Sequence, residues 1–535
     1  MTRYIFVTGG VLSSLGKGVA SASIGTLLEA RGYRITMQKL DPYLNVDPGT
    51  LTPYQHGEVF VTKDGAETDL DLGHYERFTS LTLTLLNNTT SGQVYYAVIE
   101  KERRGDFLGR TIQVVPHITD EIKHRIKRVA KGRVEIVITE IGGTVGDIES
   151  LPFLEAVRQF RQDVGQENTC HIHLTYVPFI HAAAELKTKP TQHSVERLRE
   201  IGIQPDIILC RTEKTLSMEA REKISLYCSV PPEGVVEAPD TDCIYAIPLI
   251  FHRERLDTVI LRRLHLRPRR SRLKKWEKLV EAMRQPQKEV EIAMVGKYVR
   301  LQDSYKSLDE ALHHAGLPNR TCVKIRKVDS ETLEKDDIAR HFKGISGILV
   351  PGGFGVRGVE GMISAIRYAR ENGIPYFGIC LGLQVSVVEF ARNVCGWNDA
   401  HSTEFDPHTK HPVITILDSQ KEVKDLGGTM RLGGYPCVLV AGSVSRRVYG
   451  KNRVSERHRH RYEVNPEFLP EIKKRGLSPA GGSPDRRLVE IVELKDHPFF
   501  VATQFHPEFQ SRLSAPHPLL AAFISACVKY KETGN

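Results

Sequence analysis

Twice along this chain, short β-rich apolar runs alternate with helical stretches. That pattern restricts the fold to parallel α/β sheets. The first series comprises Tyr4–Thr8, Arg34–Lys39, Val134–Glu140, His173–Val177 and Asp206–Cys210. The second comprises Val290–Val295, Gly347–Val350, Ile374–Ile379, Pro412–Leu417 and Phe499–Gln504. Between them, residues 266–288 are rich in Arg and Lys and hold Pro268, Trp276 and Pro286, which reads as a linker containing a charged helix. At 535 residues the chain exceeds one ordinary domain, so the expected division is 1–265 and 289–535. In open α/β sheets ligands bind beyond the carboxyl ends of the strands, and the polar residues of interest follow those ends.

Composition narrows the setting. Hydrophobic residues make up 40% and charged residues 26%, as in soluble globular chains. There is no apolar run of about eighteen residues, so no membrane association is expected. Met1-Thr2-Arg3-Tyr4 leads straight into a strand pattern without a signal-peptide core. Nine cysteines include no Cys-x-x-Cys pair, which suits reduced thiols in the cytoplasm rather than a zinc ribbon or disulfide framework. The net charge of +9 admits anionic partners, polyphosphates as readily as nucleic acid. The basic runs Arg262-Arg263, Arg267 to Lys275 and Arg457 to Arg461 lack interleaved aromatics, so a basic surface is expected and not a nucleic-acid face.

The first strand runs into Gly9-Gly10-Val11-Leu12-Ser13-Ser14-Leu15-Gly16-Lys17-Gly18. A glycine-rich turn between strand and helix presents backbone N–H groups to phosphate. Lys17 would reach the outer phosphates. The loop departs from a regular P-loop: five residues separate Gly10 from Gly16, and Gly18 stands where a Ser or Thr normally touches magnesium. Ser13 and Ser14 are expected to compensate. A plain strand–loop–helix turn is the competing reading. Lys39 closes the second strand beside this loop. Hard oxygen ligands for Mg²⁺ are offered by Glu67 to His74, which holds Asp69 and Asp71, and by Glu140 with the following Gly142 to Glu149. A carboxylate ending a buried strand is costly unless paired or coordinated. Lys187-Thr188-Lys189-Pro190-Thr191-Gln192 is a compact cationic loop, and with Lys223 it suggests a second anionic ligand. His171 and His173 alternate on one strand; ordinary core or surface histidines are expected there ahead of a metal pair.

In the second half, Gly378-Ile379-Cys380-Leu381-Gly382 frames a cysteine as a strand-to-helix elbow does. His506-Pro507-Glu508 follows far downstream, and its two functional groups alternate so that both face one way. A thiol becomes a nucleophile when an imidazole takes its proton and a carboxylate orients that imidazole. The N-terminus of the following helix favours the thiolate. Leu349 to Gly355 ends another strand with adjacent glycines, and the N–H groups of Gly353 and Leu381 are the expected oxyanion donors.

These motifs carry a resemblance that spans the whole chain. The second half resembles class I glutamine amidotransferase domains. The first half resembles the synthetase domain of the CTP synthase family, through Tyr4 to Gly18, Lys39 to Tyr43, Gln55 to Phe60, Asp64 to Phe78, Glu140 to Phe153, Lys187 to Val195, Gly427 to Leu432, Arg457 to Glu463 and Gln504 to Phe509. The resemblance implies a two-domain α/β chain, an N-terminal P-loop-like synthetase domain and a C-terminal glutamine amidotransferase domain. It implies that ATP phosphorylates O4 of UTP and that ammonia from glutamine replaces the phosphate.

The resemblance also distributes roles. Ser14, Leu15, Gly16, Lys17, Gly18 and Val19 fall on the ATP loop, with Lys39, and Asp240 on the adenine side. Asp71 and Glu140 fall on magnesium ligands. Ser13, Lys187, Thr188, Lys189, Pro190, Thr191, Gln192 and Lys223 fall on the UTP site. Asp147, Ile148 and Glu149 fall on the segment binding the cytosine of CTP, a feedback inhibitor. Pro53, His56 and Val59 fall on an ammonia tunnel. Cys380, His506 and Glu508 fall on the triad. Gly353, Leu381, Gly382, Leu383, Gln384, Glu404 and Arg461 fall on the glutamine site. GTP activation and a homotetramer are further implications. A cobyrinate-type amidotransferase shares this domain plan but needs a corrinoid pocket that Gly142–Glu149 and Lys187–Gln192 suit less well. An inactive filament-forming protein is disfavoured by the intact Cys380, His506 and Glu508.

Overall fold

The computed structural model describes residues 2–50, 57–416 and 429–534. The chain divides into two compact units, one formed by Met1–Val46 with Asp71–Val280 and the other by Asp47–Leu70 with Glu281–Asn535. Each has its own sheet.

In the first unit, β1 (Arg3–Gly9), β2 (Ile35–Asp41), β3 (Asn88–Thr90), β4 (Ile136–Ile141), β5 (Thr169–Tyr176), β6 (Ile207–Thr212) and β7 (Val235–Pro239) stand in the order β7-β6-β5-β1-β4-β2-β3. Every pairing is parallel. All residues of β4 are buried, as expected for a strand covered on both faces. The chain passes β1 on the way from β4 to β5, so the loops after these three strands lie side by side. That is the topological switch point at which such sheets bind ligands. Helix α1 (Lys17–Ala30) follows β1, α2 (Asp71–Phe78) precedes β3, and α3 (Lys189–Glu200) precedes β6. The stretch expected as a linker holds the helix Lys274–Arg284. Its Trp276 is buried, donates its indole N–H to the Tyr245 carbonyl at 2.7 Å, and packs beside Phe78.

In the second unit, β8 (Lys288–Gly296), β9 (Thr321–Asp329), β10 (Gly347–Val350), β11 (Tyr376–Ile379), β12 (Arg431–Leu439), β13 (Arg453–His460), β14 (Leu477–Gly482), β15 (Val489–Leu494) and β16 (Phe500–Thr503) form one mixed sheet. The order is β9-β8-β10-β11-β16-β15-β14-β12-β13. Pairing is parallel from β9 to β16 and antiparallel beyond it. Helix α4 (Leu381–Asn393) leaves β11. The expected strand Pro412–Leu417 is present as Pro412–Ile416, but it belongs to a separate three-stranded sheet with His401–Ser402 and Tyr462–Val464, and Leu417 lies outside the described residues.

The excursion Asp47–Leu70 is part of this second unit, which the strand–helix alternation did not disclose. It carries a hairpin of Phe60–Val61 with Glu67–Thr68. Arg457 donates to the Val61 carbonyl at 3.0 Å, Arg459 to Glu67 Oε1 at 2.7 Å, and the Gly434 N–H to the Lys63 carbonyl at 2.8 Å. Phe60 packs edge-on against Phe509. No described helix in either unit is long and apolar enough to cross a membrane.

Candidate active sites

Cys380 caps α4 with φ 52° and ψ −100°, an unfavourable conformation for a residue with a Cβ. The elbow is held from several sides. Its N–H donates to the Thr503 carbonyl at 2.7 Å on β16, and the Gln384 N–H returns to the Cys380 carbonyl at 3.2 Å. Small residues make room for it. A Cβ on Gly382 would lie 2.2 Å from the Val350 carbonyl oxygen, and one on Gly352 would lie 2.9 Å from His506 Cε1 and 3.6 Å from Cys380 Cβ. Gly352 is therefore the floor across which thiol and imidazole face each other. The Cys380 Sγ contacts the Arg459 carbonyl at 3.7 Å, and the His506 N–H donates to the Arg457 carbonyl at 2.8 Å, so β13 registers both groups.

His506 Nδ1 lies 2.7 Å from Glu508 Oε1. Burial opposes protonation of this ring, but the Glu508 carboxylate and the Cys380 sulfur prevail and hold its pKa up at about 10. His506 Nε2 is buried without a hydrogen-bond partner among the described residues, and it is the nitrogen left to exchange a proton. The set opens into a cavity lined by Glu58, Val59, Tyr305, Gly353, Phe354 and Arg459. Gly353 lies against Leu381: a Cβ there would be 3.4 Å from Leu381 Cδ2. Leu381 opens α4, so its N–H has no intrahelical acceptor. Gln384 is buried and donates to the Tyr462 carbonyl at 3.0 Å. Leu383 is fully buried in the core, so only its backbone is available to a ligand. Glu404 accepts from the Gly355 N–H at 2.8 Å, and burial raises its pKa against the pull of Gly355 and Lys297. Arg461 donates to Thr429 at 2.8 Å. Burial raises the Tyr462 pKa, with Glu404 adding to the rise and Arg461 opposing it. Lys297, not singled out from sequence, is buried; desolvation lowers its pKa to about 8 and its ammonium donates to the Gly355 carbonyl.

The other site assembles charges from separate segments of the first unit. Lys39 Nζ, buried at the end of β2, pairs with Asp71 and lies 3.3 Å from Glu140 Oε1 and 3.6 Å from Asp41 Oδ1. Tyr75 donates to the second oxygen of Glu140. Burial raises the pKa of Glu140 against Lys39, and raises that of Asp41 to about 6. Burial also opposes ionisation of Asp71, but Lys39 overcomes it and holds that carboxyl below its ordinary value. Asp41 was not singled out from sequence; its signal was a carboxylate closing a strand next to Lys39.

Gly18 explains the departure from the P-loop pattern. A Cβ there would lie 1.9 Å from Asp71 Oδ1, so the missing Ser or Thr makes room for a carboxylate. Ser13 and Ser14 are both exposed on this loop. Asp41, Asp71 and Glu140 turn oxygens toward the buried Lys39 ammonium. No three carboxylates, histidines or cysteines among the described residues are grouped as a metal cage, so Asp71 and Glu140 suit at most a Mg²⁺ that takes one or two protein carboxylates and shares the rest with phosphate oxygens. Lys17 donates to the Gly143 carbonyl at 2.7 Å; burial lowers its pKa, opposed by Glu140. The Val145 N–H donates to the Gly9 carbonyl at 2.8 Å. The loop Gly142–Glu149 therefore lies directly on the glycine-rich loop after β1.

Leu15, Gly16 and Val19 wall a mostly apolar cavity with Asp240, Ile247 and Phe251. Arg211, near the end of β6, joins its parts, donating to Asp240 Oδ1 at 2.9 Å and to the Leu15 carbonyl at 2.9 Å. Its position at a strand end was a readable signal. At the start of α3 and in the residues leading into it, Thr188, Thr191 and Gln192 are buried, whereas Lys187 and Lys189 are exposed. Lys187 pairs with Glu185, and Lys189 sits over the Tyr227 ring. Asp147 accepts from the Thr144 N–H at 2.8 Å, with Ile148 and Glu149 exposed beside it. Lys223 is exposed on the helix Met218–Cys228. Pro53 and His56 lie outside the described residues; Val59 is buried.

The family described as "CTP synthase N-terminus" matches residues 3–266, and "Glutamine amidotransferase class-I" matches 300–526. The chain is 60% identical to a CTP synthase of Syntrophus aciditrophicus over 99% of its length and 98% of the relative's. The chain belongs to the CTP synthase family. It is also 59% identical to a CTP synthase of Carboxydothermus hydrogenoformans, with 99% of each chain covered. Among solved structures, the glutaminase domain of Trypanosoma brucei CTPS with bound acivicin is 41% identical, covering 45% of this chain and 94% of that one, at a TM-score of 0.43.

Proposed function

We propose that this chain makes CTP from UTP in an ATP- and glutamine-dependent reaction. The observation that carries the reading is a thiol–imidazole–carboxylate set and a buried lysine–carboxylate cluster in one chain of this family.

At the second unit's site, Cys380 attacks the glutamine amide carbon. The N–H groups of Gly353 and Leu381 receive the developing oxyanion. His506 passes its proton to the departing ammonia, then takes one from the water that cleaves the thioester, while Glu508 orients the ring. Gly382, Leu383 and Gln384 shape the pocket; Glu404 holds the amino group of glutamine and Arg461 its carboxylate. Free ammonia is protonated in water, so a sheltered path suits this chemistry, and Pro53, His56 and Val59 are its assigned lining.

At the first unit's site, Ser14–Val19 cradle the phosphates of ATP, with Asp240 on the adenine side. Lys17 and Lys39 neutralise the phosphoryl group as it leaves ADP for O4 of UTP. Asp71 and Glu140 would hold Mg²⁺, which supplies further neutralisation of the β- and γ-phosphates. Ser13, Lys187–Gln192 and Lys223 hold UTP. Ammonia then adds at C4, and O4 departs with the phosphate. Feedback by CTP at Asp147–Glu149, GTP activation, a homotetramer and a cytoplasmic setting rest on family membership.

The test incubates the protein with UTP, ATP, Mg²⁺ and glutamine, follows CTP by its ultraviolet absorbance, and repeats the assay with ammonium chloride. CTP is expected with either nitrogen source. Its absence from both overturns the reading.

A further inference from the structure

His171 and His173 stand two residues apart on β5, and the structure uses them differently. His171 pairs in register with Phe6, stacks on its ring, and has both ring nitrogens without hydrogen-bond partners among the described residues. It is a core filler. His173 pairs in register with Thr8 and spends both nitrogens: Nδ1 lies 2.8 Å from Thr8 Oγ1 and Nε2 lies 2.8 Å from Ser194 Oγ. All three residues are buried.

The ends of this relay are informative. Thr8 is the last non-glycine residue of β1, immediately before the phosphate loop. Ser194 lies on α3, just beyond Lys189–Gln192. The two elements also touch directly. A Cβ on Gly10 would lie 1.7 Å from Ser194 Oγ and 3.0 Å from His173 Nε2. The Gly10 N–H is tied to the Leu174 carbonyl at 3.0 Å, and Thr191 Oγ1 to Thr175 Oγ1 at 3.1 Å. Burial and the nearby Lys17 lower the His173 pKa to about 3, so the ring is neutral and is no proton donor to a phosphate.

We propose that His173 is a positioning residue: through Thr8 and Ser194 it fixes the register between the phosphate loop and the N-terminal half of α3, so that the ATP and UTP sites are set as one. This rests on the assignment of those two elements to ATP and UTP. A neutral imidazole is suited to the task because each nitrogen bridges to one hydroxyl, and a hydroxyl removed from either end leaves a buried nitrogen unpaired.

Thr8→Val and Ser194→Ala each delete one end, whereas Thr8→Ser keeps the hydroxyl. Steady-state kinetics with ammonium chloride as nitrogen source are expected to give, for T8V and S194A, a roughly tenfold rise in KM for both ATP and UTP. Their kcat at saturating nucleotide and their glutamine hydrolysis are expected to stay near wild type, and T8S is expected to restore both KM values. The inference falls if only one nucleotide's KM moves, if kcat falls without a change in KM, or if T8S behaves as T8V. Wild-type protein that forms no CTP would instead overturn the assignment beneath it. Thermal unfolding of each variant identifies a folding defect, and S194A carries the test if T8V fails to fold.

Discussion

Around Cys380 a single residue carries the conformational cost, with φ 52° and ψ −100°, and its imidazole and carboxylate partners come from one short segment, His506 to Glu508. Around Lys39 the cost is electrostatic and shared: Lys39 and Asp41 end one strand, Glu140 lies on another, and Asp71 opens a helix. A thiol nucleophile needs one atom lifted and one base aligned, which a local turn can provide. A phosphoryl site must balance several charges in a buried place, and no short segment supplies both signs at the required spacing.

That contrast can be broken most forcefully at Cys380. Cys380→Ala is expected to lower glutamine-dependent CTP formation by about 10³-fold or more while ammonia-dependent formation persists. Parallel assays with glutamine and ammonium chloride measure this, and equal loss of both would deny that the two sites are separable. The second largest effect is expected at Gly18. In Gly18→Ala the new Cβ meets Asp71 Oδ1 and pushes the carboxylate from Lys39. CTP formation from either nitrogen source is expected to fall roughly a hundredfold, with glutamine hydrolysis retained. Unchanged CTP formation would remove Asp71 from the phosphate site.

The smallest effect sharpens the comparison through pH. The folded-state pKa of His506 is raised to about 10 from an ordinary 6.5. Its stabilisation is therefore fully present below pH 6.5 and lost as pH rises through 10. Glu508→Gln removes the principal group that raises it. Thermal midpoints measured across that window are expected to decline less in E508Q than in the wild type, and parallel declines would count against the ion pair.

The same contrast governs what could be read in advance. The elbow at Cys380 and the strand-ending carboxylate Glu140 were legible because each is a local pattern. Most of the parallel strands were legible because both faces are buried and the residues run continuously apolar. The antiparallel strands β12 and β13 were not, since Arg431–Leu439 holds Gly433, Gly434 and Pro436 and Arg453–His460 is polar or charged except at Val454. Asp41 lies within Lys39–Tyr43, but its place beside Asp71 and Glu140 is set by the meeting of separate elements, and Arg211 stands near a strand end without a motif around it. The role of Gly18 depends on Asp71, far away in sequence, and no spacing rule connects them.

The excursion Asp47–Leu70 gives the chain a structural order that differs from its written order. A cut after Val280 would not yield the second unit intact, because Glu58 and Val59, which wall the Cys380 cavity, would stay with the other fragment. Arg457 and Arg459 would lose the Val61 carbonyl and Glu67, and Phe60 and Val61 would pass from nearly complete burial into water. The gene can be divided in two at that point, but the folded molecule has no matching seam there.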